Sequence, residues 1–138
     1  MIIVMSDLHF ADSSSLSIGE HYFNHNLPPE VYRAFFNEIL EFIRNENIED
    51  IDLVLAGDIF EVTRSPLWHK DNLRPYAHND QVTDGSDLEG RINEIMDAIA
   101  ADQRVSATLD LFRNLTIQLR RPVRIHFIPG NHDRLLNA

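Results

Sequence analysis

Apolar residues along this chain gather into three short runs, Ile2–Met5, Ile51–Ala56 and Val123–Ile128, separated by longer segments of different pattern. The first two runs are continuous, which predicts strands covered on both faces of a parallel sheet. The third alternates through Val123-Arg124-Ile125-His126 and then turns wholly apolar, which predicts a strand nearer one side of that sheet. Between the first two, Val31, Phe35, Ile39, Phe42 and Ile43 recur at helical spacing behind Pro28-Pro29, a suitable helix start. Strand, helix, strand in this order is a βαβ unit. Residues 61–84 show no period. Ser86-Asp87-Leu88-Glu89 then matches a capping box, and Leu88, Ile92, Ile95, Met96 and Ile99 follow at helical spacing. Val105, Leu109, Phe112, Thr116 and Leu119 continue the period, so one long helix or two joined near Asp102 are expected, with Pro122 ending them before the last strand.

The pattern is that of an α/β protein. Residues 1–138 are expected to form one domain, in which 61–121 is an irregular segment followed by a long helical insertion. A chain of 138 residues can bury roughly two-thirds of its unfolded surface. Hydrophobic residues make up 43% and charged residues 25%, which suits a globular protein in water. No run approaches the ~20 apolar residues of a membrane span, and Met1 leads straight into a strand-like run. The expected location is therefore the cytoplasm, with no membrane partner. The absence of cysteine removes disulfides and thiolate metal sites. A formal charge of −10 disfavours broad binding to nucleic acid, although a local basic patch would remain compatible with it.

Chemistry enters at the ends of the three runs. Ser6-Asp7-Leu8-His9 follows the first, Gly57-Asp58 the second and Pro129-Gly130-Asn131-His132-Asp133 the third. In an open parallel sheet the carboxyl ends of the strands lie along one edge, where ligands bind, so the clusters should converge. Taken singly, each is an ordinary turn sequence. Together they offer carboxylates, imidazoles and an amide oxygen, a donor set suited to Mn²⁺, Fe or Zn²⁺ rather than Ca²⁺. Gly57 and Gly130 allow the tight turns that would present these side chains.

Asp7-x-His9, Gly57-Asp58 and Gly130-Asn131-His132-Asp133, in this order, resemble the calcineurin-like metallophosphoesterase superfamily. The resemblance implies a layered β core with flanking helices, of which this chain supplies the parallel-strand half of a four-layer α/β/β/α arrangement. It implies hydrolysis of a phosphomonoester, phosphodiester or pyrophosphate by metal-activated hydroxide. Two divalent cations are implied, with Asp7 and His9 on the first, Asp58 bridging both and Asn131 on the second. His132 would protonate the leaving oxygen, with Asp133 orienting its imidazole. A metal-bound His9 also calls for an acceptor on its other ring nitrogen, which the sequence does not name.

The family's later motifs, a lone His and a Gly-His-x-His pair, have no counterpart in Arg134–Ala138. The resemblance therefore implies a truncated chain that holds one cation or none and hydrolyses esters weakly. The alternative is a non-catalytic metal-binding module that pairs into a homo-oligomer through exposed sheet edges. His21 and His25 stand at i, i+4, but Asn24, Asn26 and Pro28 argue against a helix that would join them on one metal. Arg64, His69 and His78 are candidates for substrate contact, and Arg64, His69, Lys70 and Arg74 form a basic cluster in the sequence beside Trp68 and Tyr76. Gly57-Asp58-Ile59-Phe60-Glu61 is similar to pyrophosphatases that cleave UDP-diacylglucosamine, whereas the triple motif as a whole is similar to recombination-repair exonucleases of the same superfamily.

Overall fold

A computed structural model of the chain describes residues 1–13, 17–18, 21–22, 24–46 and 48–137. The three apolar runs become β1 (Ile2–Met5), β4 (Ile51–Ala56) and β5 (Val123–Ile128), paired in the order β1-β4-β5 with both pairings parallel. Between β1 and β4 lie a two-stranded antiparallel ribbon, β2 (Ser17–Ile18) with β3 (His21–Tyr22), and helix α1 (Pro29–Asn45). Between β4 and β5 come 3-10 turns at Pro66–His69 and Asn79–Gln81, then α2 (Asp87–Ala100), α3 (Gln103–Arg113) and the short α4 (Leu115–Leu119). Among the described residues no helix is long and apolar enough to cross a membrane.

The helical region divides where Asp102 stands. Its carboxylate accepts hydrogen bonds from the amides of Arg104 and Val105 and caps α3, so the periodic pattern is two helices and a further turn. At the start of α2, Ser86 Oγ accepts from Glu89 N at 3.1 Å. The reciprocal bond goes elsewhere, since the Glu89 carboxylate accepts from Gly85 N at 2.6 Å. Buried Arg91 ties α2 to the 3-10 turn at Pro66–His69 and the residues after it by donating to the Leu67 carbonyl and to Asp71, and it also pairs with Glu94 of its own helix.

Helix α1 turns a different stripe inward from the one its spacing suggests. Tyr32, Phe36 and Ile43 are buried, while Val31 and Phe42 are 46% and 52% exposed. Eight large apolar or aromatic side chains crowd the arc from residue 31 to residue 43, so the period alone admits neighbouring stripes. Ring packing selects between them: Tyr32 and Phe36 meet Phe112 edge-on at centroid distances of 5.8 and 5.9 Å, and Tyr32 meets Phe10 at 6.2 Å.

Among the described residues only one face of the sheet is covered, and that one over β1 and β4 but not over β5, where Ile125 and Phe127 are 46% and 39% exposed, against the expectation that continuous apolar runs have two covered faces. Ile3, Ile51, Leu53 and Leu55 join Phe36, Ile99, Phe112 and Leu119 in the core, and fully burying each such side chain contributes about 1.5–3 kcal/mol. On the opposite face Ile2, Val4 and Ile128 are 70%, 63% and 55% exposed. The same face carries a cross-strand network in which Arg124 grips Asp52 through two hydrogen bonds of 2.8 and 3.0 Å and His126 adds a third at 2.8 Å. The Arg124 guanidinium, and after it His126, holds the Asp52 carboxyl well below the usual carboxylate range. His126 is thus a structural residue of the open face.

Candidate metal and phosphate site

The hydrogen-bond ladder of the sheet does not stop where its strands do. Asp7 N donates to Gly57 O, His9 N to Asp58 O, Phe10 N to Ile59 O and Glu61 N to Phe10 O, all between 2.8 and 3.1 Å. Gly57 N donates to Ile128 O at 2.7 Å, and Thr63 N donates to His132 O at 3.2 Å. The loops after β1, β4 and β5 are thereby laced to one another, and the three polar clusters of the sequence meet at one edge.

The lacing forces unusual backbone. Asp7, His9 and Asp58 have φ of +54°, +47° and +53°, a region that costs non-glycine residues of the order of 1–3 kcal/mol each. Gly57, at φ +80°, and Gly130 bring the second and third loops together. A Cβ on Gly130 would overlap the Asp58 carboxylate and its backbone nitrogen.

Two groups of possible ligands share His9 and use opposite sides of its ring. Donor atoms of Asp7, His9 and Asp58 lie within 4.8 Å of one another, as do those of His9, Glu61 and His132. His9 Nδ1 is 2.9 Å from Glu61 Oε2, while its Nε2 faces Asp7 Oδ1 at 4.0 Å. A carboxylate only accepts, so the Nδ1–H donates to Glu61, and in the neutral ring the lone pair is then on Nε2, which faces Asp7. Asp58 Oδ1 accepts from His132 N at 2.9 Å. The donor set fits a divalent cation with mixed oxygen and imidazole ligands.

Glu61 is the residue that sequence reasoning quoted without giving it a place in the site. It is 5% exposed, and its second oxygen lies 2.5 Å from His132 Nδ1. One carboxylate therefore holds two imidazoles whose rings meet edge-on at a centroid distance of 5.0 Å. The available signal was its spacing, three residues beyond Asp58 in a loop already expected to turn back on itself.

Asp133 has a different task from orienting the His132 imidazole. Fully buried, it accepts from Ile59 N at 2.7 Å and Phe60 N at 3.2 Å through Oδ2, and from Gly130 N at 2.5 Å through Oδ1. The imidazole's neighbours are Glu61 and Thr63, whose Oγ1 is 3.2 Å from Nδ1. Asn131 is exposed in the turn after Gly130.

A cavity of about 470 Å³ opens over this edge and is lined by His9, Asp58, Glu61, His132, Arg64 and His25, with Ala11 at its wall. Of the basic cluster expected beside the site, Arg64 alone reaches that lining. Lys70 pairs with Glu94, and Arg74 donates to the carbonyls of Asp71 and Leu73. His69 and His78 are exposed outside the lining, and Trp68 is buried with Nε1 donating to Val62 O at 2.7 Å. Tyr76 is 83% exposed. The pairing of His21 with His25 finds no helix to carry it, since residues 21–22 are strand and 24–25 have no regular structure. The side chain of His21 lies outside the described residues.

The close approach of Gly130 to Asp58 makes a sharp prediction. Gly130→Ala should lower stability by of the order of 1–3 kcal/mol, read as a reduced urea midpoint, because neither the carboxylate nor the backbone nitrogen can yield without breaking the lacing. An unchanged midpoint would show that the two loops are not packed as described.

A sequence model described as calcineurin-like phosphoesterase matches residues 1–137. No curated protein and no solved structure matches the chain. The family match spans all three strand-end clusters, and the chain belongs to the calcineurin-like phosphoesterase family.

Proposed function

We propose that this chain hydrolyses a phosphate ester with one divalent cation held by Asp7, His9 and Asp58 and a second reached by Asp58 and Asn131. The family is one of phosphoesterases that use divalent metals, and the assignment of residues goes beyond the family match. The observation that carries it is the convergence of Asp7, His9 and Asp58 donor atoms within 4.8 Å, with His9 Nε2 left open because Glu61 occupies Nδ1. Manganese suits the mixed oxygen and imidazole donors. Bound cations of this kind polarise phosphoryl oxygens and lower the pKa of a coordinated water.

The chain's own groups supply the rest. Glu61 holds His132 by Nδ1, which leaves Nε2 as the ring atom able to pass a proton to the departing alkoxide. The same carboxylate stabilises the imidazolium before the transfer and fixes the ring afterwards. Asp133 acts on geometry by holding the loop amides that set Asp58 and His132 in place. Arg64, in the cavity lining and 3.7 Å from Glu61, offers guanidinium donors to phosphoryl oxygens.

Calorimetric titration with Mn²⁺ tests the assignment. The wild-type chain should bind Mn²⁺, Asp58→Asn should weaken binding at least tenfold, and Glu61→Gln should weaken it about 10–100-fold, the range for partners that orient a ligating imidazole. Hydrolysis of an aryl phosphodiester with Mn²⁺ should be slow in the wild type and absent in Asp58→Asn. Binding and turnover indifferent to Asp58→Asn would remove the assignment.

A second reading, a metal-binding module that pairs with another copy of itself, is favoured by one feature. Ile2, Val4 and Ile128 form an apolar stretch on the sheet face that no helix covers among the described residues. Light scattering should then report a dimer, and Val4→Lys should give a monomer of unchanged thermal stability. A wild-type monomer at high concentration would dismiss this reading.

A further inference from the structure

His25 enters the cavity from a part of the chain unrelated to the three strand ends, and a buried polar clamp holds it there. Its neighbour Asn26 is 1% exposed and pairs with Ala11 in the manner of a strand partner. Asn26 Oδ1 accepts from Ala11 N and its Nδ2 donates to Ala11 O, both at 3.0 Å. Asn26 N donates to Asn24 Oδ1 at 2.9 Å, and Asn26 O accepts from Arg104 Nη1 at 2.9 Å. Asn24 in turn donates to Asp102 Oδ2 at 3.4 Å, beside the start of α3. Burying an amide side chain is unfavourable unless its groups are paired, and here each of them is. The backbone on either side of His25 is thus tied to α3 and to the loop after His9. Between these ties the His25 side chain is itself exposed and lines the cavity.

The cavity's charge gives that imidazole a task. Asp58 and Glu61 make its floor anionic, and a phosphate entering it needs donors beyond the cations to hold its outward oxygens. Apart from His132 Nε2, assigned above to the leaving oxygen, two residues of the lining offer donors: Arg64, which stands 3.7 Å from Glu61 and has further N–H groups, and His25, which lies outside both compact ligand groups. His9 and His132 already spend Nδ1 on Glu61. We infer that His25, fixed by the Asn26–Ala11 pairing, is a substrate-binding residue that donates a hydrogen bond to a phosphoryl oxygen from the cavity wall, with Arg64 as a second donor. The inference rests on the metal-site reading above and adds a residue that neither the strand-end motifs nor the family match assigns.

Binding of inorganic phosphate to the Mn²⁺-loaded chain tests it, with Mn²⁺ affinity measured separately on the same variants. His25 is exposed, so its replacement leaves the fold intact. His25→Ala should weaken phosphate binding about tenfold, as expected for one hydrogen bond to a charged group, while Mn²⁺ affinity stays within about twofold. His25→Gln, which restores a donor, should recover part of the loss. Unchanged phosphate affinity in His25→Ala, with Mn²⁺ still bound, would overturn the inference and leave the metal site standing. Loss of Mn²⁺ affinity in His25→Ala would overturn it in favour of a cation ligand. Failure of the wild type to bind Mn²⁺ would remove the metal site and this inference together.

Discussion

Asp133 is the carboxylate on which the strand-end edge depends. It is wholly buried, and a charge in that position is costly unless its lone pairs are filled. They are filled by three backbone amides, of Ile59, Phe60 and Gly130, which belong to the loops after β4 and β5. The carboxylate thus joins two loops that the sheet ladder alone would leave splayed. The backbone bonds from Asp7, His9 and Phe10 add the third loop. Positive φ at Asp7, His9 and Asp58 is tolerated because this lacing over-determines the backbone.

From that constraint the site emerges as geometry. Once the loops are fixed, Glu61 comes to lie between His9 and His132 and decides which nitrogen of each ring is free. On His9 the second nitrogen, Nε2, faces Asp7 at 4.0 Å, while Arg64 stands 3.7 Å from Glu61 at the cavity lining. That arrangement of carboxylate and imidazole donors is the basis of the metal-site proposal. His25 completes the picture from outside the edge, since its clamp fastens the chain before α1 to the residue two positions beyond His9.

The strands were legible in the sequence because each apolar run is short, dense and bounded at once by polar residues. Asp7, His9, Asp58 and His132 were legible for the same reason: a parallel sheet brings the residues at the carboxyl ends of its strands to one edge. Where sequence reasoning fell short, the cause was a choice that only tertiary packing makes. Tyr32 and Phe36 displaced Val31 and Phe42 from the core because Phe10 and Phe112 accept rings edge-on. Asp133 took amides instead of an imidazole because a buried carboxylate satisfies the nearest donors. The open sheet face was hidden by the continuity of the β1 and β4 runs, which reads alike whether cover is present or absent. His25 was beyond reach because its position depends on Asn26 meeting Ala11, a contact that no local pattern encodes.

The most direct test of the account is a crystal structure of the chain soaked in Mn²⁺, read by anomalous scattering. A peak coordinated by Asp7, Asp58 and His9 Nε2, with Glu61 still bonded to His9 Nδ1, is the predicted result. A peak bound instead by Glu61, His9 Nδ1 and His132, or none at this edge at saturating metal, would contradict it.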